Sequence, residues 1–185
     1  MRRILLVALL LLFAAPVLAL DVGGVKVDDR ASVGGEQLVL NGAGVRTRVM
    51  FKVYVASLYL PAKTSDAAAV LAKGPRRIQM NLLRTLAPDQ LVDALTDGLR
   101  DNNSDAELAV VKAQTDQLMS IMRSFGEVKE GSVVTLDFVD GSTVVGLNGT
   151  PRGTIPGDAF SKALTRIWIG DKPVQAELKK ALLGV

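Results

Sequence analysis

Four side chains on one stretch of chain, Arg46, Arg48, Lys52 and Tyr54, carry the chemistry this sequence offers. Alternate residues of an extended strand share a face, so three cations and a phenol are expected together on one side of a sheet. That set suits an anion. A guanidinium presents a planar fork of donors to a carboxylate, and a neighbouring phenol adds another hydrogen bond. The chain has no histidine and no cysteine. Triads, thiol nucleophiles, thiolate metal sites and disulfides are therefore excluded. No metal is expected, because Asp140 belongs to a turn and Asp158 is placed to start a helix, leaving Asp137 alone. No cofactor is expected either: Gly42 and Gly44 lead into a strand, whereas a dinucleotide loop leads into a helix.

Punctuation along the chain shows what must hold these residues. Asn41-Gly42, Asp140-Gly141 and Asn148-Gly149 are hairpin signals, and hairpins imply antiparallel pairing. Strands are expected near Val22 to Val27, Gln37 to Leu40, Gly44 to Leu60, Arg76 to Arg84, Val133 to Val139, Thr143 to Leu147 and Arg152 to Ile155. The long ribbon from Gly44 to Leu60 sorts its side chains into two sets: Val49, Phe51, Val53, Val55 and Tyr59 on a core face, and Arg46 to Leu58 at even positions on the other. The second face is either a solvated outer surface or a cleft for an anion.

Helices are expected over Ser65 to Lys73, from Pro88 with Leu91, Leu95 and Leu99 in one stripe, and from the capping box Ser104-Asp105-Ala106-Glu107. Two more run over Asp158 to Ile169 and from Pro173 onward. Trp168, on an apolar stripe, reads as core. Strands early and late, with helices between and after them, predict an α+β fold with a sheet covered on one face by helices.

Met1 to Ala19 read as a secretory signal: Arg2 and Arg3, an apolar run from Ile4 to Ala15, then Val17-Leu18-Ala19 as a cleavage site. That apolar run is shorter than the roughly 20 residues a bilayer core needs. A single domain over 20–185 is expected, exported and periplasmic, with no stable membrane anchor once the signal is cut. The chain has 22 Lys and Arg against 19 Asp and Glu, and two of the cations lie in the signal. So small an excess gives no case for nucleic acid.

The string Asn41-Gly42-Ala43-Gly44-Val45-Arg46, followed by Phe51-Lys52-Val53-Tyr54-Val55-Ala56-Ser57-Leu58-Tyr59-Leu60-Pro61, resembles the opening of the chalcone isomerase-like family. Ile155-Pro156-Gly157-Asp158, Phe160 to Ala163 and Arg166-Ile167-Trp168-Ile169-Gly170-Asp171-Lys172-Pro173 are similar to the ending of its bacterial branch. The resemblance implies an open-faced sandwich, a large antiparallel sheet under a layer of helices, with a ligand held between them. It further implies either cofactor-free closure of a chalcone, an intramolecular lyase reaction, or fatty-acid binding as in plastid relatives. The family's cleft arginine matches Arg46. Its strand threonine falls on Tyr54, its tyrosine on Leu91, its asparagine on Gly98, its late threonine on Ile167 beside Trp168, and its lysine is approximated by Arg84. Most of the polar catalytic set is thus apolar here.

Three functions follow as expectations. The first is a non-catalytic exported protein binding a small amphipathic acid such as a fatty acid, through Arg46, Arg48, Lys52, Tyr54, Arg84, Leu91, Ile167 and Trp168. The second is a structural or protein-interaction module whose cleft is filled and whose Arg46 pairs with Asp93 or Asp97. The third is an isomerase built on Arg46 and Tyr54.

Overall fold

The computed structural model describes residues 20–185; the signal read in Met1 to Ala19 lies outside the described residues. Short alternating runs and tight turns build a seven-stranded antiparallel sheet in which neighbours in sequence are neighbours in space. Its strands are β3 (Arg30–Val33), β4 (Glu36–Arg48), β5 (Phe51–Leu60), β6 (Arg76–Leu82), β7 (Val133–Val139), β8 (Ser142–Leu147) and β9 (Thr150–Pro156). A separate hairpin, β1 (Leu20–Val22) with β2 (Val25–Val27), precedes them. Helix α1 (Ala67–Leu71) connects β5 to β6, and α2 (Pro88–Asn102), α3 (Asp105–Val110) and α4 (Lys112–Ser124) connect β6 to β7. The chain ends with α5 (Asp158–Ile169) and α6 (Ala176–Leu183). The fold is α+β, a large antiparallel sheet with helices on one face.

Turn chemistry explains most of the sheet. Gly23-Gly24, Gly34-Gly35, Asp140-Gly141 and Asn148-Gly149 each link adjacent strands with positive φ at both positions, the geometry that matches the twist of paired strands. Asn41-Gly42 does something else. It lies inside β4 at a register shift between Leu40 and Gly42, and the buried Asn41 amide donates to Leu182 O at 2.7 Å and Thr64 O at 3.0 Å. Its Oδ1 accepts from Thr64 N at 2.7 Å. Gly42 admits the C-terminal turn of α6: a Cβ there would sit 2.0 Å from Ala181 O.

The expected single strand from Gly44 to Leu60 is two strands, β4 and β5, joined at Val49-Met50. The expected strand from Val22 to Val27 is likewise a hairpin, turning at Gly23-Gly24. Among the helices, Pro88 does open α2, and Gln90 Oε1 accepts from Ala87 N at 2.9 Å. The Ser104 box forms through Ser104 N to Glu107 Oε2 at 2.9 Å and Glu107 N to Ser104 Oγ at 3.3 Å. The following helix breaks at Val111, whose ψ of 13 leaves the helical range, so α3 and α4 are distinct. The last helix begins at Ala176 rather than Pro173, because Val174 N is held by Ile167 O at 2.9 Å.

The main core lies between sheet and helices and includes Leu58, Ile78, Leu136, Phe160, Leu164 and Ile167. A smaller cluster, Val27, Val33, Leu38, Leu40, Val55 and Tyr59, lies on the other face, and Val22 and Val25 of the β1–β2 hairpin pack against it. Each large side chain so buried contributes roughly 1.5–3 kcal/mol. Gly42→Ala should cost about 2–3 kcal/mol of unfolding free energy in urea denaturation, because the added methyl meets backbone that cannot yield without moving α6.

Candidate functional site

One unpaired residue decides which side chains enter the space beneath the helices. In the β4–β5 hairpin Arg46 lies opposite Tyr54, Thr47 opposite Lys52 and Arg48 opposite Phe51, so Val53 has no partner. This is a β-bulge, and the extra residue reverses the facing of everything beyond it. Arg46, Arg48, Phe51 and Tyr54 therefore share a face, while Lys52 joins Thr47 on the other. The same reversal removes Phe51 from the core face expected for it; its side chain is 57% exposed. The face carrying Arg46 and Tyr54 continues inward as Ala56 and Leu58, both fully buried under the helices. It is the covered face, not a solvated one.

Between this end of the sheet and the helices lies a cavity of about 420 Å³, within the range of about 300–1,000 Å³ usual for small-molecule sites. Met80, Leu82, Leu86, Leu95, Met122 and Val134 form an apolar interior. Arg46, Arg48, Tyr54, Arg84, Leu91, Ile167 and Trp168 all line it; Lys52 does not. Asp97 and Asp101 of α2 and Lys172 complete the lining on the helix side. Sequence reasoning missed the apolar interior, which comes from five separate elements, and Gln175, whose Oε1 holds Thr47 N at 2.9 Å and Arg46 Nη1 at 3.4 Å.

Arg46 Nη1 also donates to the Thr47 carbonyl, which ties the guanidinium to the bulge. Arg46 takes part in no salt bridge among the described residues, so the expected pairing with Asp93 or Asp97 is absent; Asp97 instead meets Arg100 at 3.3 Å. Tyr54 OH accepts from Trp168 Nε1 at 3.0 Å, leaving its own proton available to a ligand. Burial raises the Tyr54 pKa above its ordinary value, against the opposing pull of the Trp168 bond and the Arg46 charge. The phenol therefore remains a donor at neutral pH.

A second cavity, about 460 Å³, sits at the other end of α5 around Arg76. It contains none of the residues predicted for the site. The donors of Arg76 are engaged by Thr165 Oγ1 at 3.0 Å, Ser161 O at 3.2 Å and the carbonyls of Ala72 and Gly74, and its guanidinium stacks on Phe138 at 4.4 Å. Arg76 thus fastens α5 to the sheet.

The comparisons with known proteins agree with this architecture. A family model described as chalcone isomerase-like matches residues 19–184. The chain belongs to the chalcone isomerase-like family. Among solved structures it is similar to a fatty-acid binding protein of Arabidopsis thaliana, at 14% identity and a TM-score of 0.65, over 85% of this chain and 92% of that one. No curated protein sequence matches it.

The positions on which the resemblance places the family's polar residues have these surroundings. Gly98, where an asparagine was implied, packs against Ile167: a Cβ there would lie 2.8 Å from Ile167 Cγ2. A side chain at 98 would collide with Ile167 unless that residue moved. Leu91 is half-buried in the cavity wall and brings no donor. Arg84 lies at the mouth with its guanidinium 5.1 Å from the Phe51 ring. Of the positions the resemblance marks, Arg46, Tyr54 and Arg84 alone bring a polar group.

The chain has two tyrosines, which makes a titration direct. Burial and the nearby Asp28 push Tyr59 up to about 12, and Tyr54 is raised as well. Raised pKa values favour the phenol in the folded state. Their contribution to stability is intact below the unfolded value of about 10 and lost as pH rises through the folded values. Phenolate absorbance of the native protein should show no step near pH 10, and urea-unfolded protein should show both tyrosines ionising there.

Proposed function

We propose that this protein binds a small amphipathic acid, with a fatty acid as the best-fitting class, and that it does so without catalysing a reaction on it. One observation carries the reading: an apolar cavity has on its wall a guanidinium, Arg46, that takes part in no salt bridge among the described residues. The carboxylate would meet Arg46 with the Tyr54 hydroxyl as a second donor, and the chain would lie along Leu82, Leu86, Leu95 and Met122. Binding of fatty acid by the Arabidopsis relative supports the choice of ligand class. The apolar identities of Leu91, Gly98 and Ile167 favour binding over isomerisation. The cavity volume weighs against a cleft filled by the protein's own side chains. The composition of Met1 to Ala19 supports export to the periplasm, in which case the acid is captured there.

Energetics divide the labour. A hydrogen bond to a charged group contributes about 1.5–3 kcal/mol, and each buried methylene roughly 0.8 kcal/mol. The tail therefore supplies most of the affinity and the head sets its orientation.

Protein purified without added lipid should release a stoichiometric amphipathic acid on extraction, identified by mass spectrometry, and Arg46→Ala protein should release little. In direct titration Arg46→Ala should weaken a carboxylate by about 10- to 150-fold while leaving the alcohol of equal chain length nearly unchanged. An empty extract together with no binding of added acid would overturn the reading.

A further inference from the structure

The β4–β5 hairpin differs from the others in what it places at its tip. Four two-residue turns use glycine, asparagine or aspartate. This one uses Val49 and Met50, with Val49 at a φ of 59, a conformation that a β-branched residue adopts only under strain. A glycine would be the favoured residue there. The exposed side chains run consecutively: Val49 at 93%, Met50 at 81% and Phe51 at 57%. Among the described residues the other exposed large hydrophobic ones are Leu20, Val110 and Val185, which are far apart in sequence.

The flanks are cationic. From Gly44 to Val53 the chain has Arg46, Arg48 and Lys52 and no carboxylate, and Arg84 joins them by lying over the Phe51 ring. Among the residues lining the cavity the carboxylates are Asp97, which is paired with Arg100, and Asp101, both across the mouth on α2. Arg48, Val49 and Phe51 also line the cavity, so the apolar tip forms part of its rim.

From this placement we propose that the Val49–Phe51 tip docks into an anionic lipid bilayer, its three apolar side chains entering the acyl boundary while Arg48, Lys52 and Arg84 meet headgroup phosphates. Apolar insertion combined with cations at headgroup level is the combination that holds proteins at an interface. A second copy of the chain fits poorly, because a two-fold contact at the tip would oppose the same cations to one another. A convex apolar tip also finds its match in a deformable medium. Docking would bring the cavity mouth to the membrane surface, so that an acyl chain crosses between bilayer and protein with little exposure to water. That consequence rests on the acid-binding reading above; the docking itself does not.

The chain has no native cysteine, so Met50→Cys in the full chain carries a single polarity-sensitive dye at the tip. Val110→Cys carries it beside the N-terminal half of α5. With phosphatidylglycerol vesicles the dye at position 50 should shift to the blue and brighten, and the dye at position 110 should not. Phosphatidylcholine vesicles should need on the order of a hundredfold more lipid. Lys52→Glu in the Met50→Cys chain should raise the half-saturating lipid concentration roughly tenfold. Because Lys52 lies off the cavity, the same variant should bind a soluble short-chain acid as before, which separates failure of docking from failure of acid binding. No response at position 50, an equal response at both positions, or a response at position 50 that follows protein concentration instead of lipid, as self-association would give, overturns the proposal.

Discussion

The burial of α5 is the constraint on which the remaining arrangement depends. Phe160, Leu164, Ile167 and Trp168 are almost fully withdrawn from solvent, and the polar groups along the helix are matched one by one. Ser161 O and Thr165 Oγ1 receive Arg76 of the sheet, Ala163 O receives the Asn103 amide, and Trp168 Nε1 reaches Tyr54. Unmatched, each such group would cost on the order of 1–3 kcal/mol. At one end these bonds seal α5 onto the sheet. At the other they leave Ile167 and Trp168 forming a cavity wall, with Tyr54 held at a fixed orientation.

The bulge at Val53 does the complementary work on the strand side. Read as a single strand, the segment would set Arg46 and Tyr54 eight residues apart, roughly 27 Å at about 3.4 Å per residue. As a hairpin pair they are directly opposite, a separation of order 5 Å between their Cβ atoms. Only the second arrangement lets both donors act on one carboxylate. The bulge also aims Phe51 at the cavity and sends Lys52 away from Arg46 and Arg48, so the charge at the mouth and the charge on the outer surface are separated by a single inserted residue.

The architecture was largely legible because its signals are local. Alternating strands, the Asp140-Gly141 and Asn148-Gly149 turns, Pro88 and the Ser104 box each act within a few residues of themselves. What misled had distant causes. Asn41-Gly42 has the composition of a turn, yet its conformation is set by α6, 141 positions away at Leu182. Val49-Met50 has no turn composition, yet it turns because β4 and β5 pair on either side of it, and pairing outweighs the local cost at Val49. The site followed the same rule. Arg46 and Tyr54 belong to one face on either reading, for different reasons, whereas the placement of Lys52 required knowing the bulge. The apolar interior draws on β6, β7, α2, α4 and the loop before α2, a convergence that spacing along the chain does not express.

The character of the cavity wall bears on catalysis as well as affinity. Arg46 has only donors to offer, Tyr54 has its acceptor engaged by Trp168, and the raised pKa of the phenol keeps its proton in place. Such a wall stabilises negative charge but takes up no proton near neutrality. Among the described lining residues the groups able to accept one are Asp97 and Asp101, both exposed on α2, with Asp97 already paired to Arg100. A reaction that moves a proton would have to bring its reacting centre to that rim, away from the two donors that would stabilise the charge it creates. An acid that arrives already ionised needs only the donors, and the geometry serves that case without any further group.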